Sequence, residues 1–78
     1  MSSHKPTLHD IRERQYFDIP ALAESAGVDA SIIYRMLNHQ PVQRYQAELV
    51  LTALTDDLGE DYTLDTVAIV LFPEEDKK

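Results

Sequence analysis

The chain has no cysteine, so neither a disulfide nor a thiolate zinc site can reinforce it. It has two glycines in 78 residues, too few for a glycine-rich phosphate loop. Its longest apolar run is residues 67–72, far short of the roughly 20 residues that cross a bilayer. Residues 1–6 (Met, Ser, Ser, His, Lys, Pro) hold no apolar signal segment. These absences predict a soluble, cytoplasmic chain with no membrane partner. Positive charge is also scarce: seven Lys and Arg stand against fourteen Asp and Glu, a net charge of −7. That is the wrong sign for a generic binder of polyanions. The excess is confined to one end. Residues 1–47 carry five cations and five anions, whereas residues 48–78 carry nine anions and two cations. The N-terminal part can therefore still face a polyanion.

A chain of this length buries only about 60% of the surface that its unfolded form exposes. Without a covalent or metal staple, self-association is the expected supplement. The remaining composition is that of a folded protein, 44% hydrophobic and 27% charged.

Helix-starting and helix-stopping residues divide the chain into short pieces. Thr7, with Asp10 three residues on, forms a capping pair for a first helix marked by Leu8, Ile11 and Gln15 and ending near Tyr16 and Phe17. Asp18 caps a second helix, with Pro20 in its first turn, a buried side of Ile19, Leu22, Ala23 and Ala26, and Gly27 as its stop. Asp29 caps a third helix over residues 30–38, whose core positions are Ile33, Met36 and Leu37. After a polar loop at 38–40, Pro41 opens a fourth helix with an apolar stripe of Val42, Leu49, Val50, Ala53, Leu54 and Leu58. This helix is expected to fray at Asp56 and Asp57 and to end by Gly59. Residues 63–66 read as a capped single turn. Residues 67–72 read as a short strand, with a buried helical continuation as the alternative. Residues 73–78 read as an acidic disordered tail, and residues 1–6 as a flexible arm.

Residues 19–38 carry the functional signal. Two helices that cross closely need small residues at the crossing, a glycine in the turn and apolar residues at fixed places. Leu22, Ala23, Ala26, Gly27, Val28, Ile33 and Met36 fill those places. The stretch Leu22-Ala23-Glu24-Ser25-Ala26-Gly27-Val28 resembles the core motif of helix-turn-helix regulators of the Cro and lambda-repressor (XRE) class. Ile33-Tyr34-Arg35-Met36-Leu37-Asn38 also resembles the lactose-repressor class. A helix before the motif and a proline-started helix after it favour the first. The resemblance covers residues 7–58 and implies an all-α, compact four- to five-helix lambda-repressor-like DNA-binding domain. Residues 59–72 would supply a C-terminal turn and a dimerisation segment.

The resemblance implies a sequence-specific transcriptional regulator, repressor-like, that binds double-stranded DNA as a homodimer. Its third helix would enter the major groove, where each base pair shows a distinct donor and acceptor pattern. By motif position, Ala30, Ser31, Ile32 and Arg35 are the base-reading candidates, with Arg35 aimed at a guanine. Tyr34, Asn38, His39, Gln43 and Arg44 are candidates for the phosphate backbone, with Arg12, Arg14 and Lys5 as supporting cations. Arg35 as a merely solvated side chain and Tyr34 as a packing residue are the alternatives. The chain departs from the family in its few cations and in the aspartates capping helices two and three. Those aspartates offset the positive helix ends that attract phosphates.

Other chemistries find little in the residues. His4, His9 and His39 lack the spacing of a metal site, and no cofactor is implied. No nucleophile stands beside a histidine–carboxylate pair, so no catalytic residue is assigned. The competing function is a protein-interaction module on the same fold, an antitoxin or antirepressor. It would engage a basic protein partner through Asp56, Asp57, Glu60, Asp61 and Asp65.

Overall fold

Short oxygen-bearing side chains start three of the four helices. In the computed structural model, which describes residues 5–73, Thr7 accepts from the Asp10 amide at 3.1 Å while the Asp10 carboxylate accepts from the Thr7 amide at 3.1 Å. This reciprocal cap opens α1, Leu8–Arg14. Asp18 accepts from the Ala21 amide at 3.3 Å and opens α2, Ile19–Ala26, with Pro20 in the first turn where its missing amide needs no partner. Asp29 accepts from the Ser31 amide at 3.2 Å and opens α3, Ala30–Leu37. No sheet accompanies the four helices among the described residues.

The fourth helix departs from expectation at its start. α4 spans Arg44–Leu58 and is not opened by Pro41. The cause lies in the backbone of Val42, whose N–H donates to the Val70 carbonyl at 3.1 Å and whose carbonyl accepts from the Phe72 amide at 3.0 Å. Two bonds to an extended partner hold this residue out of the helix, and Val42 is buried beneath the C-terminal segment instead of on α4. The far end also differs. α4 runs unbroken through Asp56 and Asp57 to Leu58, where Gly59 (φ 77°) takes the C-cap and donates to the Thr55 carbonyl at 2.9 Å. Thr55 secures that last turn, because its hydroxyl accepts from the Tyr62 amide at 2.9 Å and donates to the Tyr62 carbonyl at 3.2 Å. The returning loop thereby clamps the helix end.

The core joins Leu8 and Ile11 of α1, Leu22 of α2, Ile33 and Met36 of α3, and Val50, Leu51 and Leu54 of α4. Leu49, read from periodicity as core, is 43% exposed. α4 turns Ala47, Val50, Leu51, Ala53 and Leu54 inward, and this leaves Leu49 on the outer side of the helix.

The expected turn forms at 63–66: Thr63 accepts from the Asp65 amide at 3.2 Å and from the Thr66 amide at 3.1 Å, through its hydroxyl and its carbonyl respectively. Residues 67–72 then run extended, not helical, but they build no ladder. Each neighbour supplies a single bridging residue, Thr7 to Ala68 and Val42 to Leu71. α1 begins directly after Thr7, and α4 begins at Arg44, so neither stretch can pair further. The segment is a strap that ties the start of α1 to the loop before α4. Its odd positions face the core, with Val67 buried and Ile69 and Leu71 half-buried, and its even positions Ala68, Val70 and Phe72 face out. Pro6, assigned to the arm, accepts from the Ala68 amide at 2.9 Å. The remainder of the expected arm and nearly all of the expected tail (residues 1–4 and 74–78, His4 among them) lie outside the described residues. No helix among the described residues is long and apolar enough to cross a membrane.

Candidate nucleic-acid interface

Gly27 governs how α3 leaves α2. It adopts φ 76°, a left-handed conformation that a side chain disfavours. Its amide donates to the Glu24 carbonyl at 3.3 Å, and the Val28 amide donates to the Ala23 carbonyl at 3.1 Å. This pair of bonds is the Schellman closure of a helix. Val28 is half-buried against the core, and Asp29 restarts the chain as α3.

α3 presents two faces. Ile33 and Met36 are buried, and Ala30, Ile32 and Leu37 are half-buried against the core. Ser31, Tyr34, Arg35 and Asn38 are exposed, and their spacing of three, four and seven residues sets them in one strip along the helix. The base-reading candidates Ala30 and Ile32 therefore sit at the margin of this strip.

The strip differs in how firmly its members are held. The Ser31 hydroxyl donates to the Asp29 carboxylate at 2.7 Å, and this bond, with that from the Ser31 amide, holds the Asp29 carboxyl below its ordinary pKa of 3.8. The Asn38 side-chain amide donates to the Tyr34 carbonyl at 3.0 Å, closing the end of α3. Tyr34 is about half exposed. Arg35 makes no ion pair and no side-chain hydrogen bond among the described residues, so its guanidinium projects without an intramolecular partner.

The backbone candidates lie just beyond. His39 has φ 61°, the one non-glycine residue in the left-handed region among those described. The Gln40 amide donates to the Arg35 carbonyl at 2.8 Å and the His39 amide to the Met36 carbonyl at 3.3 Å. α3 thus ends in a second Schellman closure, with histidine where glycine is usual. The missing glycine at position 39 concealed this turn from sequence reading. Gln43 and Arg44 are exposed at the start of α4, and Arg44 reaches Glu48 at 3.6 Å.

Arg12 does not join this surface. Its Nε donates to the Phe17 carbonyl at 3.3 Å, and its guanidinium carbon lies 4.9 Å and 5.6 Å from the ring centres of Tyr16 and Phe17. It braces the α1–α2 corner. His9 pairs with Glu13 at 3.7 Å on the exposed side of α1.

Set against known proteins, the chain matches no family model, no curated protein and no solved structure.

Proposed function

We propose that the protein is a sequence-specific DNA-binding regulator in which α3 reads the major groove, on a domain of the lambda-repressor-like kind. The observation that carries this reading is the exposed strip on α3, which follows the bend at Gly27 and bears Arg35, unpartnered among the described residues. A guanidinium presents two parallel donors to guanine O6 and N7. Ser31, oriented by Asp29, keeps hydroxyl acceptor capacity toward a base amine. Ala30 and Ile32 offer apolar edges to a thymine methyl. Tyr34, Asn38, His39, Gln43 and Arg44 face the backbone and set register, not base choice.

The protein acts as a homodimer. Beyond Val67, whose amide donates to the Thr63 carbonyl at 2.9 Å, the strap makes intrachain backbone bonds at 68, 70 and 72. Ile69 and Leu71 form no backbone hydrogen bond among the described residues. An open edge of this kind pairs readily with a second strand. With Val70 and Phe72 exposed beside that edge, a second copy offers the same edge in return. Two α3 helices would then read half-sites about 34 Å apart. Few phosphates meet a cation, so nonspecific affinity is weak and the salt slope is about −0.9 per contact.

Selection of bound sequences from a random duplex pool at about 50 mM salt, where phosphate contacts are strongest, tests the reading. It predicts enrichment of a two-fold symmetric site, and recovery of unselected sequence refutes it. Sedimentation at micromolar concentration tests the assembly: a dimer that Val70→Asp dissociates is expected, and a monomer at all concentrations removes the dimer.

A further inference from the structure

α4 carries two large apolar side chains that the core does not use. Tyr45 (62% exposed) and Leu49 (43% exposed) lie along its outer side and, with the buried Ala53 at the base and the end of α2, line an open groove of about 650 Å³. Glu48, Asp56 and Asp57 stand along the same groove, and among the described residues no Lys or Arg lines it. Among the described residues, Arg44 reaches Glu48 and no other carboxylate. From Tyr45 to Asp56 the helix rises about 17 Å, at roughly 1.5 Å per residue.

We infer that this groove is the docking site for a cationic amphipathic helix of a partner protein. The floor takes an apolar stripe, as in helix-in-groove recognition, and its length suits about three turns of helix. The lining selects the sign of the flanking charge: three carboxylates, with Glu48 and Asp57 on opposite flanks of the floor and Asp56 between them, favour Lys or Arg and repel acidic segments. DNA is excluded by the same charge. A second copy of this chain is disfavoured as well, because a groove docked on itself would set Glu48, Asp56 and Asp57 against one another. The surface is built from α4 and the end of α2, apart from the α3 strip, so the inference stands or falls independently of DNA reading.

The test uses a 14-residue peptide with leucine at helical spacing and lysine elsewhere, together with the same peptide carrying glutamate in place of lysine. Each is titrated into the isotope-labelled full chain and followed by amide chemical shifts. The lysine peptide is expected to shift amides around 25–26 and 45–57, and the glutamate peptide to shift none. Leu49→Ala and the double variant Asp56→Lys/Asp57→Lys should each weaken binding about tenfold, near 1.4 kcal/mol. Both alter exposed positions, and an unchanged circular dichroism spectrum certifies their fold. Equal binding of the two peptides, shifts centred on α3 or the strap, insensitivity to Leu49→Ala, or no binding at millimolar peptide would overturn the inference. So would self-association that Leu49→Asp abolishes, which would assign the groove to a second copy.

Discussion

Replacing Gly27 with alanine isolates the bend on which the α3 surface depends. A Cβ built at Gly27 meets no atom within 4 Å. Steric conflict with the surroundings therefore adds nothing, and the cost is the backbone term alone. At φ 76° an L-residue is disfavoured by about 1–2 kcal/mol. A domain of this length has a total stability of about 4–12 kcal/mol, so the loss is a sizeable fraction. With about 4–8 °C per kcal/mol for domains of this size, the melting temperature should fall by about 5–15 °C. Urea unfolding followed by circular dichroism should show a lower midpoint at unchanged slope, since the surface exposed on unfolding is the same. Gly27→Asn should lose less, because asparagine tolerates the left-handed region. The sign is decisive. Within a continuous helix the alanine substitution would stabilise by about 0.5–1 kcal/mol, so a stabilised Gly27→Ala protein refutes the bend and the projection of α3 built on it.

Two leucines of α4 should behave oppositely. Leu54 is 0% exposed and its truncation to alanine should cost about 2–5 kcal/mol, whereas Leu49→Ala should stay within about 0.5 kcal/mol; paired denaturation curves compare them. His39→Gly should raise stability by about 1 kcal/mol, by relieving a left-handed histidine, and a drop in urea midpoint would contradict that assignment. The Asp29 carboxyl is held below its ordinary value chiefly by the Ser31 hydroxyl and then by the Ser31 amide. A lowered folded-state pKa contributes stability above the unfolded value of 3.8, and that contribution is lost as pH falls through the folded value. Ser31→Ala should therefore flatten the fall in stability below about pH 4, and an unaltered acid profile would show that the bond does not act on Asp29.

The helix starts were legible because each depends on a local side chain. Thr7, Asp18 and Asp29 satisfy the first free amides of their own helices, whatever the rest of the chain does. Gly27 was legible for the same reason. What escaped the sequence depends on contacts distant along the chain. Pro41 is a good first-turn residue, yet bonds from residues 70 and 72 hold Val42 extended and delay α4 to Arg44. Asp56 and Asp57 suggest fraying, yet Thr55 grips the backbone of Tyr62 and the helix persists. Leu49 is apolar at helical spacing, but Ala47, Val50, Leu51, Ala53 and Leu54 already fill the inward side of α4. In the candidate interface, Ser31, Tyr34, Arg35 and Asn38 fall on the exposed strip. Ala30 and Ile32 are half-buried against the core at its margin, and periodicity alone does not separate a half-buried position from an exposed one.

In the proposed DNA complex, Arg35 on the outer strip of α3 reads a base. The most direct measurement is the affinity of Arg35→Ala for the selected site and for every single-base variant of it. Loss of about 1–3 kcal/mol of preference at one base pair in each half-site, with discrimination elsewhere intact, is the predicted result. A uniform loss across all sequences would make Arg35 a phosphate contact, and no loss at all would remove α3 from the interface; either contradicts base reading by Arg35.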